Sequence, residues 1–172
     1  MVVVRRTSGG GTIFTDKGQL IYGLITEKHI GEGIEGSFRV MCGIIIDALS
    51  RFGIDAAFKA PNDITVNGKK VSGNAQTVRD KAVLMHGTII LDLDTELMSY
   101  VLKEKRPGYV TSLRTECGHA PTLEEMKSAL RASFEKRMGV ELAAGSLTDF
   151  EMSEVERLVK ERYGSDDWNF KR

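Results

Sequence analysis

Hydrophobic and polar positions follow two different periods along this chain, and the change of period separates strand-rich from helical stretches. Val2–Val4 is a short apolar run, followed by Arg5-Arg6, the glycine-rich Thr7-Ser8-Gly9-Gly10-Gly11, and Thr12-Ile13-Phe14. Strand, glycine turn and strand is the simplest arrangement there. Lys17-Gly18 supplies another turn before Gln19–Ile25, a further β-like run, and Gly31, Gly33 and Gly36 mark a loop. From Ser37 the apolar residues fall at Phe38, Met41, Ile44, Ile45, Ala48, Leu49 and Phe52, which is helical spacing, with Gly53 as the stop. Between Ala56 and Asp92 the pattern is that of strands. Ile64-Thr65-Val66 and Lys69-Lys70-Val71 flank Asn67-Gly68, a strong signal for a tight hairpin. Gly73 leads into Ala75–Val78, Arg79-Asp80-Lys81 is a charged turn, and Ala82–Leu91 runs as a buried strand. These segments predict an antiparallel meander.

Asp94 or Thr95 caps a short helix to about Leu102, and the charged stretch Lys103–Gly108 is an exposed loop. The last third is helical. Thr122-Leu123-Glu124-Glu125 has the form of a capping box, and Leu123, Met126, Ala129, Leu130, Ser133 and Phe134 define one face of a helix that ends near Gly139. A second helix starts at Thr148 or Ser153 and runs to Tyr163, with Gly164 as its stop. Strands first and helices later, with one helix between, predict an α+β fold: a mixed or antiparallel sheet with helices packed against it.

Composition narrows the function classes. A chain of 172 residues suits one domain with its own core. Its 24 basic and 24 acidic residues cancel, so net charge gives no case for nucleic acid or for an anionic membrane surface. The longest apolar runs, such as Val40–Leu49, are far too short to span a bilayer, and the tiny apolar run at the start does not resemble a secretory leader. Cys42 and Cys117 make no disulfide framework, and a cytoplasmic location is the expectation. His29, His86 and His119 lack metal-ligand spacing with the cysteines.

Candidate chemistry gathers at two places. In Arg5-Arg6-Thr7-Ser8-Gly9-Gly10-Gly11, three glycines allow backbone N–H groups to turn toward an anion, and adjacent arginines on a strand point to opposite faces. One arginine can then reach a phosphate or carboxylate while the other serves packing; a tight turn with a basic flank explains the same residues. Asn62-Asp63 opens the second place, where Asp63 is a candidate for magnesium, an ion that favours one or two carboxylates plus substrate phosphates. A turn-forming Asn-Asp before a strand is the plainer alternative. His86, alternating among apolar residues, has the pattern of a core histidine.

Four segments in order resemble the lipoate–protein ligase family: "RRTSGGGTIFTDKGQLIY", "PNDITVNGKKVSGNAQTV", "MHGTIILDLD" and the closing "DDWNF". The resemblance implies a core like that of class II aminoacyl-tRNA synthetases and biotin ligases. The implied activity uses ATP and Mg2+ to convert lipoate to lipoyl-AMP, then transfers the lipoyl group to a lysine of a lipoyl-carrier domain. Such carriers are the E2 subunit of a 2-oxoacid dehydrogenase or the glycine-cleavage H protein. It further implies that Arg6, Gly9, Gly10, Gly11 and the backbone of Thr12, Ile13 and Phe14 line the adenylate and lipoyl pocket. Lys70 falls on the family's catalytic lysine, whose fixed ammonium would neutralise the lipoate carboxylate and the α-phosphate as they meet. Gly73 and Ala75, in Ser72-Gly73-Asn74-Ala75, would let substrate run close beside the strand, and His86 would border the lipoyl site.

The pattern departs from the family in two respects. Thr15 stands where the first motif has histidine, and the chain begins four residues before the motif's first arginine, where family members carry a sizeable segment. The small C-terminal domain of longer ligases is not represented either. A core lacking its first strands would expose a sheet edge, which predicts an accessory subunit, an N-terminal partner or self-association. Two rivals follow. Octanoyl- and lipoyl-transferases of the same superfamily need no ATP and use a cysteine nucleophile; here Cys42 has the pattern of helix core, and Cys117 lies two residues from His119. A non-catalytic or partial subunit is the other.

Overall fold

Alternating apolar and polar positions build one wholly antiparallel sheet. Its strands are β1 (Gln19–Thr26), β2 (Ala57–Lys59), β3 (Asp63–Val66), β4 (Lys69–Arg79) and β5 (Ala82–Ile90), in the order β1-β5-β4-β3-β2. This computed structural model describes residues 2–27, 30–79, 81–102 and 108–171. The predicted loop at 103–107, Asp80 of the charged turn and His29 lie outside the described residues. The hairpin between β3 and β4 turns at Asn67 (φ 51°) and Gly68 (φ 77°), the two consecutive positive angles that the Asn-Gly pair supplies.

The chain divides into two compact units: Gly9–Glu141, and Met1–Ser8 with Leu142–Arg172. In the larger, α1 (Gly33–Ser50) and α4 (Leu123–Met138) join the sheet in one core. Met41, Ile44, Ile45 and Leu49 of α1 and Met126 and Ala129 of α4 meet Leu20, Ile64, Val71, Met85 and Ile89 of the sheet. Each fully buried aliphatic side chain here contributes roughly 2 kcal/mol by leaving water. A second, smaller cluster of Ile90, Leu93 and Met98 receives Phe14, Leu102 and Val110. Met98 comes from α2 (Thr95–Val101), which Asp94 caps by accepting from the Leu97 N–H at 2.8 Å.

The predicted fold class holds, and three local expectations are corrected. Residues 2–4 form no strand: next to them both backbone groups of Arg5 are bound by side chains, its N–H by Asn169 Oδ1 at 2.9 Å and its carbonyl by Trp168 Nε1 at 2.8 Å. Residues 12–14 form no strand either, because Phe14 is inserted in the second apolar cluster and its carbonyl accepts from Gln19 Nε2 instead of from a neighbouring strand. The helix expected from Ser37 begins at Gly33, where the Ser37 hydroxyl donates to the Gly33 carbonyl at 2.9 Å, so two glycines assigned to a loop fall in its first turn.

Short elements without a long apolar period escaped the sequence reading. They are β2, α3 (Leu113–Cys117) and α6 (Asp166–Asn169). In the smaller unit α5 (Asp149–Leu158) starts at Thr148, continues as a π-helical turn over Val159–Tyr163, and precedes α6. The predicted capping box at Thr122 forms, and a second one occurs at Thr148. Thr122 Oγ1 accepts from the Glu125 N–H at 3.3 Å while Glu125 accepts from the Thr122 N–H at 2.8 Å, and Thr148 and Glu151 do the same at the head of α5. Thr122→Ala should therefore lower stability by about 1 kcal/mol, read as a lower urea midpoint with the native helix content retained.

Candidate active site

Alternation along the strands sends Leu20, Tyr22 and Leu24 of β1, and Met85 and Ile89 of β5, into the main core. The intervening residues form the opposite face, whose rows are set by the register. Asp63, Gly73, Thr88 and Ile21 make one row across four strands; Ala75, His86 and Gly23 make the next; Thr77, Leu84 and Ile25 the third. Ile21 and Ile25 are 64% and 73% exposed, so this face is open where the other is packed. Glycine, alanine, threonine and aliphatic side chains make up most of this strip, His86 lies in its middle row, and a charged group stands over its first row.

That group is Lys70, brought there by a β-bulge. Ile64 pairs with Ser72 but Thr65 pairs with Lys70, so Val71 is an extra residue in β4. In a regular strand residues three apart lie on opposite faces; the bulge puts Lys70 and Gly73 on the same one. Val71 is buried in the core, and the Lys70 side chain lies across Gly73. A Cβ on Gly73 would stand 2.6 Å from both Cε and Nζ of Lys70, so the space predicted for substrate beside this glycine holds the lysine itself. The ammonium meets Asp63 Oδ1 at 2.6 Å, with side chains 26% and 18% exposed. Tyr109 donates its hydroxyl to Asp63 Oδ2 at 3.2 Å, and Lys59 Nζ sits 4.5 Å from the centre of the Tyr109 ring. Two lysines around one carboxylate leave an excess of positive charge at the head of the strip.

Behind this row, on the covered face, lies a buried polar knot. Asn74 donates from Nδ2 to the Asn62 carbonyl at 2.8 Å and to Cys42 Sγ at 3.3 Å, and its Oδ1 accepts from the Tyr22 hydroxyl. Asn62 returns its own Nδ2 to the Asn74 carbonyl. Gly87 makes room for the knot, since a Cβ there would fall 2.3 Å from Asn74 Oδ1 and 2.8 Å from the Tyr22 ring. Burial, and secondarily the charge of Cys42, holds the Tyr22 phenol well above its ordinary range. Burial, and secondarily Asp63, pushes the Cys42 thiol up to about 12. Cys117 is raised by burial and by Glu116 beside it. Neither thiol has the surroundings that make a thiolate nucleophile.

Of the residues singled out from sequence, Asp63, Lys70, Gly73, Ala75 and His86 share the open face. His86 is half-buried there and does not enter the main core. Gly9, Gly10, Gly11, Thr12 and Ile13 are exposed in the same unit, Gly10 with φ 103°, and Phe14 packs with Val110 on the second cluster. Arg6 belongs to the smaller unit and is half-buried, whereas Arg5 takes the packing role, its Nε donating to the Trp168 carbonyl at 3.0 Å. Asp63 has both oxygens engaged, and no group of three His, Cys, Asp or Glu side chains able to hold a metal occurs among the described residues. A lone carboxylate already paired with an ammonium does not fit a resident magnesium ion. The sequence reading missed Tyr109, Lys59, Tyr22 and the structural role of Asn62 and Asn74; of these Asn62, Asn74 and Tyr22 carried a signal, as members of motifs.

Two measurements check this geometry. Gly73→Ala should displace the Lys70 amine while leaving the urea midpoint within about 1 kcal/mol of the parent, because the clash is with the end of a flexible side chain. Iodoacetamide at pH 8 should leave Cys42 unmodified in the folded chain and alkylate it in urea. An exposed thiol ionises near 8.5, whereas Cys42 stays neutral to about 12. The stability that goes with this neutral burial is full below about 8.5 and is lost as pH rises through 12.

Comparison with known proteins places this geometry. The family model described as the lipoyl protein ligase A/B catalytic domain matches residues 1–135. The octanoyltransferase LipM of Halalkalibacterium halodurans is 30% identical over 206 residues, 98% of this chain and 74% of that protein. The lipoate-protein ligase LplJ of Bacillus subtilis is 32% identical over 184 residues, 100% of this chain and 55% of that one. Among solved structures, lipoate-protein ligase A bound with ATP superposes with a TM-score of 0.87 at 24% identity, over 98% of this chain and 72% of that one. The bi-partite lipoate protein ligase of Thermoplasma acidophilum, studied with its E2 lipoyl domain, gives 0.85 at 24% over 97% and 69%. The biotin protein ligase of Aquifex aeolicus gives 0.60 at 16% over 84% and 59%, so it shares the fold. LipM octanoyltransferases recur among the relatives, which favours the transferase alternative over the ligase first expected. Sequence match and superposition agree that the chain belongs to the lipoyl protein ligase A/B catalytic-domain family.

Proposed function

We propose that this domain attaches a lipoyl or octanoyl group to a lysine of a lipoyl-carrier domain, with Lys70 meeting the anionic groups of the acyl donor. The observation that carries this reading is the Lys70–Asp63 pair, half-buried at the head of a strip of glycine, alanine, threonine and aliphatic residues with His86 in its middle row. A saturated acyl chain loses water against such a strip, and its carboxylate or phosphate end can take the ammonium over from Asp63. The superposition on a ligase with its E2 lipoyl domain supports a carrier domain as acceptor.

Two routes reach the same product. In the adenylate route, ATP and the free acid are substrates: the carboxylate attacks the α-phosphorus, pyrophosphate leaves, and the carrier amine then displaces AMP from the acyl carbon. Lys70 would offset the charge that builds up where carboxylate and phosphate approach, which two anions cannot do unaided. The side chains favour this route, because a lysine stands at the site and both cysteines have raised pKa values. The superposition on an ATP-bound ligase supports it. The second route is direct acyl transfer through a cysteine, and the names of the LipM relatives favour it. Their matching stretch, 206 residues, is longer than this whole chain of 172, so they carry segments with no counterpart here. For LplJ the stretch is 184.

The deciding experiment incubates the chain with an apo carrier domain and either lipoate plus magnesium-ATP or an octanoyl-carrier thioester, and reads the carrier's intact mass. A lipoyl or octanoyl mass gain, reduced at least about 100-fold by Lys70→Ala, is the expected result, and a need for ATP marks the adenylate route. An octanoyl gain without ATP, with an acylated cysteine in the enzyme, would establish the transferase route. A folded chain that modifies the carrier under neither condition would remove both.

A further inference from the structure

Tyr109 lies outside every motif that carried the resemblance, yet it touches Lys70 and the groups around it. Its carbonyl accepts from the Lys70 N–H at 2.8 Å, and the next-but-one residue, Thr111, donates its N–H to the Lys70 carbonyl at 2.9 Å. The two bonds form a parallel bridge of this segment to the bulged start of β4. Its hydroxyl donates to Asp63 Oδ2 at 3.2 Å while Lys70 holds Asp63 Oδ1 at 2.6 Å. Its ring carries the ammonium of Lys59, the residue paired with Asp63 across β2 and β3. Thr111 Oγ1 in turn donates to Glu116 Oε1 at 3.0 Å, and Glu116 holds Lys69 at 2.9 Å, which anchors the segment on α3.

This closure has a physical consequence for the lysine. A carboxylate turns easily about its last torsion, which is broad and two-fold. Held at one oxygen only, Asp63 would swing with the ammonium and let it leave Gly73. A second bond at the other oxygen fixes the plane of the carboxylate. The geometry points to Tyr109 as a positioning residue for Lys70, acting through Asp63: its hydroxyl keeps the carboxylate turned so that the ammonium stays seated over Gly73 until a substrate anion takes it over. This rests on the reading of Lys70 as the group that meets the substrate. Lys59 on the ring face holds the phenol in place from the other side, and a hydrogen bond to a charged group shifts a positional equilibrium by about tenfold.

The test separates this role from a merely structural one. Tyr109→Phe keeps the ring, the contact with Lys59 and both backbone bonds, and removes only the hydroxyl. Lysine labelling with an acylating reagent, resolved residue by residue by mass spectrometry, reports the freedom of each amine without any need for catalysis. Labelling of Lys70 relative to Lys136 should rise about fivefold to tenfold, with an unchanged urea midpoint and a kcat that falls similarly at nearly constant KM. Asp63→Asn should free Lys70 to the same extent, and the double variant should add little to either single one. An unchanged Lys70 in Tyr109→Phe overturns the inference, as does a lowered midpoint without a labelling change. Should the Phe variant not fold, a Lys70 whose labelling ignores Asp63→Asn overturns it as well. Labelling that responds as expected in a chain that modifies no carrier would leave the positioning intact and remove the functional reading instead.

Discussion

The reciprocal hydrogen bonds between Asn62 and Asn74 fix the geometry on which everything at the site depends. Each amide donates to the other's backbone carbonyl, so the entry to β3 is fastened to the middle of β4 inside the protein. Asn74 is 4% exposed, and an amide buried to that degree must have its partners, because each bond left unmade costs the full desolvation of the group. With Asn62 turned into the covered face, its neighbour Asp63 is turned out by the pleat, opposite Gly73. The carboxylate that receives the lysine is therefore aimed by a bond on the other side of the sheet. Tyr22, Cys42 and the space left by Gly87 complete the same knot, which ties β1 and α1 to it.

This arrangement changes what the cysteines mean. Cys42 lies close to the site in space and would attract attention in any search for a nucleophile. Its sulfur, however, accepts from Asn74 within the core, and burial keeps it protonated. It is a small apolar filler with one polar neighbour. The chemistry available on the open face is that of ammonium, carboxylate and phenol, groups that neutralise and orient anions.

How far the sequence could be read depended on how local each interaction is. The Asn67-Gly68 hairpin, the Asp94, Thr122 and Thr148 caps and the long period of α1 were all legible, since a few neighbouring residues decide them. Residues 2–4 and 12–14 have strand-like composition, but a strand exists only by pairing: Val2, Val3 and Val4 are exposed, and Phe14 enters an apolar cluster. Lys70 and Asp63 were legible through motif resemblance, while the bond between them was not. Tyr109, 46 residues from Asp63, left no trace in any local pattern, because only the bulged start of β4 brings it there.

Because Val71 is one residue more than the ladder needs, the count of residues between Asn67 and Gly73 matters as much as their identity. Removing Lys69, the position just before the lysine, would restore a regular ladder and keep the hairpin, Lys70 and Asp63. It would also turn the ammonium through the sheet into an apolar interior, where it could meet no substrate. The segment is thus more tolerant of altered letters than of altered length, and variation among related chains should be judged at this point by spacing first.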